Sequence, residues 1–353
     1  MDETIDLLTI ALLPGAGART ARDLKARGPL AAALQHPDQH ADLLSPAARA
    51  ALRTGAARRR ADEEREAARR LGVRIVGRDE PDYPERIRRI YDPPAVLYVR
   101  GTLVPGEGER ALAIVGARAA STQGLALTRA LARDLAEAGL TIVSGLARGI
   151  DTAAHKGVLD AGARTVAVLG SGLDRIYPAE NAPLAAAIAE RGAVVSEFPL
   201  GSAPDRKHFP RRNRLIAGWG RAVVVAEAAE KSGALLTATA ALEEGREVMA
   251  VPGHPGHRGS AGTNQLIRDG AVLVRGARDV AEELGWELPV REEAGGEDGE
   301  DDVLGALARD VPRSLEELQV RCGRALPELL SHLTLLEVGA KVRRLPGPLF
   351  VRS

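Results

Sequence analysis

Short apolar runs alternate with longer amphipathic segments between about residues 110 and 285. The longer segments, such as TQGLALTRALARDLAEAG, place apolar residues at i, i+3, i+4 and i+7, which is the spacing of a helix. Near-continuous apolar strands joined through helices predict an α/β fold with a doubly wound, Rossmann-like, mostly parallel sheet that is covered on both faces. The seven predicted strands are ALAIVGA, LTIVSG, TVAVLG, AVVSE, AVVVAEA, EVMAVPG and AVLVRG.

The N-terminal part of the chain has a different pattern, in which short helical segments predominate. Two of them surround a Pro-Gly-x-Gly turn, and the Ala/Arg/Glu-rich segment ARRRADEEREAARRLG follows. We therefore predict a small helical domain over residues 1–72. Such a turn can present backbone N–H groups to a phosphate, as in helix-hairpin-helix modules, or can simply join packed helices. Residues 73–101 predict two short strands, with a Pro pair that excludes a helix at that point.

The C-terminal part predicts a linker and a further domain. The sheet domain spans residues 73–290, and the acidic, glycine-rich segment 291–302, REEAGGEDGEDD, is typical of a flexible linker. Residues 303–353 contain two or three helical patterns and then a pair of short strands around the sequence LPGP. Helices followed by a β-hairpin are the pattern of a winged-helix domain.

Composition excludes several classes of protein. The chain has 353 residues, of which 45% are hydrophobic and 27% charged, as in globular proteins. It contains no run of about eighteen apolar residues, and its N-terminus lacks a basic region before the apolar one. We therefore expect a cytoplasmic protein with no membrane partner. The single cysteine, Cys322, excludes an intramolecular disulfide and a Cys-based zinc site.

Ligands of open α/β sheets bind at the carboxyl ends of the strands, so the strand-to-helix loops are the place to look for chemistry. The first loop begins Gly116-Ala117-Arg118, which does not match the dinucleotide fingerprint G-x-G-x-x-G. The second strand ends in Ser144-Gly145 where an acidic ribose ligand would stand, and no P-loop motif occurs. We predict no cofactor. The four loops are VGARAASTQG, SGLARGIDTAAH, LGSGLDRIYPAEN and SEFPLGSAPDRKHFPRRNRLIAG.

Arg118 is informative because dinucleotide-binding loops have small residues in this turn, which let a pyrophosphate approach the backbone. A bulky cation stands there in this chain. An arginine in this tight first turn favours an anion that is held by the side chain. The alternative is that Arg118 forms a structural ion pair with Asp151 or Glu197.

The stretch KHFPRRNRLIAG combines one aromatic residue with several cations near the same sheet edge. Phe209 offers a flat apolar face, and the side chain of Asn213 can both donate and accept hydrogen bonds. Cations along the phosphates and an aromatic ring for base stacking are typical of single-stranded nucleic acid binding. The alternative is a buried Phe209 among solvated surface arginines. The basic residues are Lys207, Arg211, Arg212 and Arg214.

The ordered motifs of the chain resemble the DNA-processing protein A family, also called Smf. The resemblance covers nearly the whole chain and implies a sterile-alpha-motif-like N-terminal domain, an extended Rossmann core and a C-terminal winged helix. The motifs are YPERIRRIYDPPAVLYVRG, AIVGARAAS, IVSGLARGIDTAAHKGVL, TVAVLGSGLDRIYPAEN, SEFPLG, HFPRRNRLIAG, VVVAEAAEKSGALLTATAALEEGREVMAVPG and GTNQLIRDGA.

The resemblance implies a protein without catalytic activity. Members of this family coat single-stranded DNA, protect it from nucleases in natural transformation and load the RecA recombinase onto it while displacing single-strand-binding protein. A RecA contact and a homodimer are therefore implied partners, and duplex DNA is a further possible partner.

The family's DNA pocket maps onto residues of two loops and the helix that follows. Arg148 and four glycines are expected to shape the pocket walls, and these glycines are Gly116, Gly145, Gly170 and Gly172. Self-association is expected around Ile267 and Leu273, and the RecA contact around Leu242 and Glu247. The residues implied to contact DNA are Arg118, Lys207, Phe209, Arg212, Asn213 and Arg214.

Two departures from the family pattern affect these expectations. The first turn is Gly-Ala-Arg where many relatives have Gly-Ser-Arg, so one hydroxyl donor to a phosphate is absent. The winged-helix segment is present although many relatives lack it, and its basic sequence KVRR, residues 341–344, precedes the predicted wing. The winged-helix segment raises two alternatives. The domain binds duplex DNA, or it has a structural or partner-binding role.

A nucleotide monophosphate hydrolase is the alternative function for a Rossmann-like sheet. Glu197 and Glu227 would be its carboxylates, and His254 with His257 would suggest a metal, although no third ligand lies nearby in the sequence. Asp151 and His155 lie one turn apart at a predicted helix start, where an acidic residue is expected simply from capping.

Overall fold

The computed structural model describes residues 3–288, 301–307, 311–339 and 341–352. The chain divides into two compact units, residues 1–288 and residues 289–353, and each is described here by itself. Within the described residues, no helix is long and apolar enough to cross a bilayer.

The first unit begins with a bundle of short helices, as the sequence predicts. Ser45 caps the fourth helix by accepting a hydrogen bond from the backbone N–H of Ala48. The Pro-Gly-x-Gly turn lies between the first two helices. The five helices are α1 (Glu3–Ala11), α2 (Ala18–Lys25), α3 (Leu30–Gln35), α4 (Pro46–Arg53) and α5 (Ala56–Arg70).

The bundle and the sheet share one hydrophobic cluster. Leu8 and Leu24 of the bundle are fully buried in the same cluster as Tyr98 and Val194 of the sheet. Burial of leucine-sized side chains contributes about 1.5–3 kcal/mol each. The described part of the first unit therefore packs as one body, and a separate helical domain over residues 1–72 stays a prediction.

A nine-stranded, mostly parallel sheet forms the centre of the first unit, which confirms the predicted fold class. The seven strands predicted by the apolar runs are all present, and the two short strands before them extend the same sheet in antiparallel pairing. The strands are β1 (Arg74–Gly77), β2 (Val96–Gly101), β3 (Ala111–Val115), β4 (Thr141–Ser144), β5 (Thr165–Leu169), β6 (Ala193–Ser196), β7 (Ala222–Val225), β8 (Glu247–Ala250) and β9 (Val272–Leu273).

Helices cover both faces of this sheet. Leu131 and Ile150 pack against one face, whereas Leu215 and Ala238 pack against the other. Both faces of the central strands are therefore dry, as their continuous apolar sequences require. The helices are α6 (Glu85–Arg88), α7 (Thr122–Glu137), α8 (Ile150–Asp160), α9 (Ala182–Arg191), α10 (His208–Trp219), α11 (Gly233–Glu243), α12 (Ala261–Arg268) and α13 (Ala277–Leu284).

The strand order places a topological switch point beside β3. The order is β1-β2-β6-β5-β4-β3-β7-β8-β9, so the chain leaves β3 toward β4 and later returns to β7 on its other side. The loops that follow β3 and β7 diverge at the carboxyl edge of the sheet. A crevice at such a point is where open α/β sheets bind ligands.

The second unit is a winged-helix domain, as predicted. Ser314 and Glu317 form a capping box at the start of the second of the three helices in its described residues, and the strands pair in the order β10-β12-β11. Leu318, Leu329 and Phe350 are buried in its own hydrophobic cluster. The elements are α14 (Asp302–Ala306), β10 (Arg313–Ser314), α15 (Leu315–Cys322), α16 (Leu326–Val338), β11 (Val342–Leu345) and β12 (Leu349–Arg352).

The predicted linker falls mainly on residues 291–300, which lie outside the described residues. The last two residues of the predicted linker form the start of helix α14 instead. Asp301 caps α14 by accepting hydrogen bonds from the backbone N–H groups of Val303 and Leu304, and Asp302 lies in the helix. The other domain boundaries stay predictions.

Candidate nucleic-acid interface

Helix α10 begins at His208, so most of the KHFPRRNRLIAG stretch is helical. Phe209 and Arg212 are three residues apart and therefore share one side of this helix. Phe209 is half-buried, and Arg212 is only 5% exposed. Arg212 Nη1 donates to the carbonyl oxygens of Gly145 at 2.7 Å and Val168 at 2.6 Å, which fixes the guanidinium at the carboxyl ends of β4 and β5.

Arg212 is a buried cation without an ion-pair partner among the described residues. Burial lowers the pKa of its guanidinium to about 10, with attraction to Asp151 opposing this effect and repulsion from Arg118 adding to it. The side chain therefore stays charged at neutral pH. Asp151 accepts hydrogen bonds from the backbone N–H groups of Gly145 and Ala147, and burial raises the pKa of its carboxyl.

Three side chains surround the ring of Phe209. The guanidinium carbon of Arg118 lies 4.9 Å from the ring centroid, and that of Arg212 lies 6.0 Å from it. The ring of Tyr177 is tilted against Phe209 with a centroid separation of 6.1 Å. We define the Phe209 pocket by its lining residues, Arg118, Gly145, Ala147, Arg148, Gly170, Ser171, Tyr177, Pro178, Phe209 and Arg212.

Two glycines give the pocket its shape. A Cβ on Gly145 would lie 2.1 Å from Nη1 of Arg212, and a Cβ on Gly170 would lie 3.1 Å from Cδ1 of Phe209. Either side chain would therefore displace the groups that form the pocket walls. Of the other glycines predicted to shape the pocket, Gly116 lines the adjoining groove and Gly172 lines neither.

Arg118 is exposed and forms no ion pair with a carboxylate of the described residues. The alternative pairing with Asp151 or Glu197 is thus absent from the described part of the chain. Because the guanidinium retains its charge and five donors, it can bind an anion beside the Phe209 ring.

Arg211 and Arg214 do not line the Phe209 pocket, which corrects their expected placement. Their Nη2 atoms lie 3.0 Å and 2.6 Å from Oε2 of Glu197. Glu197 follows β6 and is almost fully buried, and burial raises the pKa of its carboxyl while the two cations oppose that rise. The reason for the difference is the helical period, which puts these arginines on a different side of α10 from Phe209 and Arg212.

The remaining predicted DNA contacts lie at the edges of the site. Lys207 is exposed and immediately precedes α10, outside the lining of the pocket. Asn213 is buried, and its Oδ1 accepts a hydrogen bond from Nε of Arg212 at 3.1 Å. Arg148 lines the pocket but pairs with Glu180 at 2.5 Å on the surface, so its charge is compensated.

A second depression, the switch-point groove, adjoins the pocket between the loops that follow β3 and β7. It contains Arg206, from the loop between β6 and α10, and Lys231, from the loop after β7, and neither was predicted as a site residue from the sequence. Its lining residues are Val115, Gly116, Ala117, Arg118, Ala119, Ala147, Asp151, Arg206, Phe209, Pro210, Arg212, Asn213, Ile216, Ala229, Lys231, Ser232, Gly233, Ala234, Leu236 and Thr237.

The residues named for a hydrolase have structural contacts instead. Glu227 accepts hydrogen bonds from the backbone N–H and the hydroxyl of Ser121, which itself caps α7. His155 is fully buried, with Nδ1 2.8 Å from Oγ1 of Thr165. His254 and His257 lie in a cleft with Glu227, and the described residues contain no group of three or more His, Cys, Asp or Glu that could hold a metal ion.

The residues expected at protein interfaces are mostly exposed. Leu242 on α11 is 63% exposed and Leu273 on the edge strand β9 is 42% exposed, so neither is a core residue. Glu247 is exposed at the start of β8, and Ile267 is half-buried on α12.

The winged-helix domain has little positive charge on its third helix. Helix α16 contains no Lys or Arg, and it exposes Leu330, Leu335 and Val338. A helix that reads the major groove approaches many phosphates, so this composition disfavours it as a duplex reader. The exposed cations Arg343 and Arg344 lie on β11.

Comparison with known proteins gives matches over most of the chain. A family model described as DNA recombination-mediator protein A matches residues 74–285, and a DprA winged helix domain matches residues 287–348. Protein Smf of Escherichia coli is 40% identical over 284 residues, which are 77% of this chain and 76% of that protein. DNA processing protein DprA of Bacillus subtilis is 40% identical over 218 residues, which are 62% of this chain and 73% of that protein.

Solved structures give the same result. DNA processing protein A from Streptococcus pneumoniae matches with a TM-score of 0.69 and 34% identity, over 82% of this chain and 99% of that one. DNA processing protein A from Helicobacter pylori, whose structure is described as showing a single-stranded DNA binding mode, matches with a TM-score of 0.52 and 30% identity, over 57% of this chain and 92% of that one.

Proposed function

Because the chain belongs to the DNA recombination-mediator protein A family, we propose that it binds single-stranded DNA in the Phe209 pocket. One observation carries this proposal. The half-buried ring of Phe209 has two guanidinium carbons near its centroid, that of Arg118 at 4.9 Å and that of Arg212 at 6.0 Å, and neither arginine pairs with a carboxylate of the described residues. An uncompensated charge beside a flat apolar surface matches a phosphate beside a nucleobase.

The aromatic rings and the cations of the pocket would make different contacts with the DNA. A base can stack on Phe209 or Tyr177, while Arg118 and Lys207 bind the adjacent phosphates through charge-assisted hydrogen bonds. Arg212 is held by the carbonyl oxygens of Gly145 and Val168 and supplies a fixed positive charge 6.0 Å from the ring centroid. No step of covalent chemistry is required, so the proposed activity is binding and not turnover.

The pocket also accounts for a preference for single strands. A base must leave its stack to reach a ring that lines a pocket, and unpairing a duplex costs a few kcal/mol. A single strand presents unstacked bases without this cost. The single-stranded DNA binding described for the Helicobacter pylori protein supports the same mode here.

A finer proposal concerns recombination. The family description as a recombination mediator supports a role in transferring bound single strands to RecA in place of single-strand-binding protein. The exposed Leu242 and Glu247 are the surface we assign to the RecA contact. The test is RecA-dependent strand exchange on DNA coated with single-strand-binding protein, measured with and without this chain. We expect the Leu242→Ala variant to bind DNA but not to stimulate exchange.

We further propose a homodimer through the β9 edge and α12. Strand β9 ends the sheet, and its exposed Leu273 can pack against the same surface of a second copy, as an isologous interface requires. Leu273→Glu should give a monomer in light scattering after size exclusion, with the fold retained because the side chain is exposed.

The DNA proposal is tested with labelled oligo-dT and a matching duplex, titrated at several salt concentrations while fluorescence anisotropy is followed. Tight, salt-dependent binding with a strong preference for the single strand is expected. Equal affinity for the duplex would assign binding to the basic strand of the winged-helix domain. Absence of binding to either would refute the DNA proposal and make a nucleotide hydrolase screen the next experiment.

A further inference from the structure

Helix α16 of the winged-helix domain is apolar on its exposed side as well as on its buried side. Leu329, Leu333 and Leu336 are buried in the hydrophobic cluster of the domain. Leu335 and Val338, in contrast, are 70% and 83% exposed. Single exposed apolar side chains are common on proteins, but a contiguous group of them marks an interaction surface.

The exposed side of α16 consists of two neighbouring rows of residues spaced four apart. Such rows form ridges on a helix, and the groove between two ridges receives a ridge of another helix. Every residue of both rows is exposed, and none carries a charge. We name this surface the α16 face. Its first row is Leu326, Leu330, Thr334 and Val338, and its second row is Pro327, Ser331, Leu335 and the C-cap residue Gly339.

The two hydroxyl groups of the α16 face already have acceptors within the helix. Ser331 Oγ donates to the carbonyl oxygen of Pro327 at 2.9 Å, and Thr334 Oγ1 donates to that of Leu330 at 2.8 Å. A partner can therefore cover both side chains without leaving a buried donor unpaired. The α16 face offers its partner an apolar surface and no demand for hydrogen bonds.

The charges that border the α16 face are acidic. Glu328 and Glu337 are exposed on opposite sides of the two rows, and neither forms an ion pair with a cation of the described residues. Helix α16 contains no Lys or Arg, and the exposed Arg343 and Arg344 lie on β11 and not on this helix. An acidic border repels a polyanion such as DNA and attracts a partner with basic residues.

We propose that the α16 face binds an amphipathic helix with basic borders that belongs to another protein. A helix fits because one of its ridges packs into the groove between the two rows. Its apolar side would cover Leu330 and Leu335, while Lys or Arg beside that apolar side would pair with Glu328 and Glu337. The winged-helix domain then acts as a protein-binding module. This inference does not depend on the Phe209 pocket.

A synthetic helical peptide of about 18 residues is the probe that tests the proposal. It has leucines at i, i+3, i+4 and i+7 and lysines on both borders of the leucine side, and a matched peptide has glutamates in place of the lysines. The anisotropy of each labelled peptide is followed during titration with the full chain. The wild type should bind the lysine peptide about tenfold more tightly than the glutamate peptide.

Two double variants separate the apolar contacts from the charged ones. Leu330→Ser/Leu335→Ser should weaken binding of the lysine peptide about tenfold, because it removes two large side chains from the α16 face. Glu328→Lys/Glu337→Lys should prefer the glutamate peptide, because the charge of the border is reversed.

A matched control removes two exposed apolar side chains from the first unit. Leu71→Ser/Val104→Ser changes residues that are 45% and 44% exposed, and it should bind the lysine peptide like the wild type. Equal losses in this control and in Leu330→Ser/Leu335→Ser would show a general loss of surface hydrophobicity and overturn the assignment. All substituted side chains are exposed, and thermal melting of each variant confirms that it is folded.

Other occupants of the α16 face give different results, and each would overturn the proposal. If light scattering shows assembly beyond a dimer that Leu330→Ser/Leu335→Ser abolishes, the occupant is a second copy of the chain. If that variant loses affinity for a labelled duplex, α16 contacts DNA. Absence of binding to the lysine peptide, or equal binding of both peptides, also contradicts the proposal. Oligo-dT affinity should stay at the wild-type level in every variant, so the DNA proposal is tested separately.

Discussion

Two arginines touch the same aromatic ring, but their surroundings give them different tasks. Arg212 is buried and donates to two backbone carbonyls, so it is a fixed part of the wall. Arg118 is exposed on the first turn after β3, so its guanidinium can adapt to a phosphate. The sequence predicted that both arginines lie in the pocket. Their different burial, which the sequence did not predict, leaves only the Arg118 side chain free to move with a bound phosphate.

The exposed cations should contribute mainly through counterion release. Arg118→Ala and Lys207→Ala should each weaken single-strand binding and lower its salt slope by about one, because each removes one phosphate contact. The measurement is a titration of oligo-dT at several salt concentrations. Wild-type affinity in both variants would show that the strand lies elsewhere.

Phe209 should contribute through stacking. Phe209→Ala should weaken binding by about 1–3 kcal/mol per stacked base, with little change in the salt slope, because stacking releases few counterions. Phe209→Tyr keeps the ring and is the matched control. An unchanged affinity in Phe209→Ala would mean that the ring only packs against Tyr177 and Arg118.

His155 predicts a loss of stability in acid. Burial, with repulsion from Arg212, lowers the pKa of its imidazole from 6.5 to about 3, while the unfolded chain keeps the ordinary value. The unfolded state therefore binds a proton first, and stability should fall as the pH drops below about 6.5. Chemical denaturation across this window should show a steeper decline for the wild type than for His155→Gln, and parallel curves would contradict this assignment.

At the scale of elements, the site depends on how the start of α10 is held by Glu197, the residue that follows β6. Arg211 and Arg214 both bind Glu197, which anchors the first turns of the helix and presents Phe209 and Arg212 to the pocket. The sequence predicted a basic cluster at this sheet edge, and in the structure Arg212 binds carbonyl oxygens at the ends of β4 and β5 while Arg211 and Arg214 bind Glu197. It could not predict which cations face the pocket, because that depends on where α10 begins.

Arg214→Ala should therefore affect stability more than DNA binding. Its side chain is 15% exposed and donates to a buried carboxylate, so its removal should cost about 1.5–3 kcal/mol of the free energy of unfolding. Arg211→Ala should cost less because that side chain is 53% exposed. Urea denaturation measures both. A fully stable Arg214→Ala with a large loss of affinity would place Arg214 on the DNA instead.

The parallel strands were predictable because they are buried on both faces and their sequences are continuously apolar. The strands β1 and β2 were also predicted, but their addition to the sheet edge was not, because antiparallel pairing between distant segments leaves no local signal. Arg206 and Lys231 were missed for a similar reason. Arg206 follows β6 and Lys231 follows β7, and these two loops line one groove only in the folded sheet.

At the scale of the whole molecule, a formal charge of zero conceals an uneven distribution. Many surface arginines form ion pairs, such as Arg27 with Asp42 and Arg129 with Asp160, both at 2.5 Å. Such pairs cancel charge without adding much stability. Arg118, Arg206 and Lys231 form no such pair with the described carboxylates, so their charges remain available to a polyanion.

The most direct test of the central claim locates the DNA on the protein. Oligo-dT carrying 5-iodouracil is cross-linked to the full chain by light, and the modified residues are identified by mass spectrometry. Adducts on Phe209 or Tyr177 are predicted, because these rings line the pocket where a base stacks. Adducts confined to the winged-helix domain, with Phe209 and Tyr177 unmodified, would contradict the account.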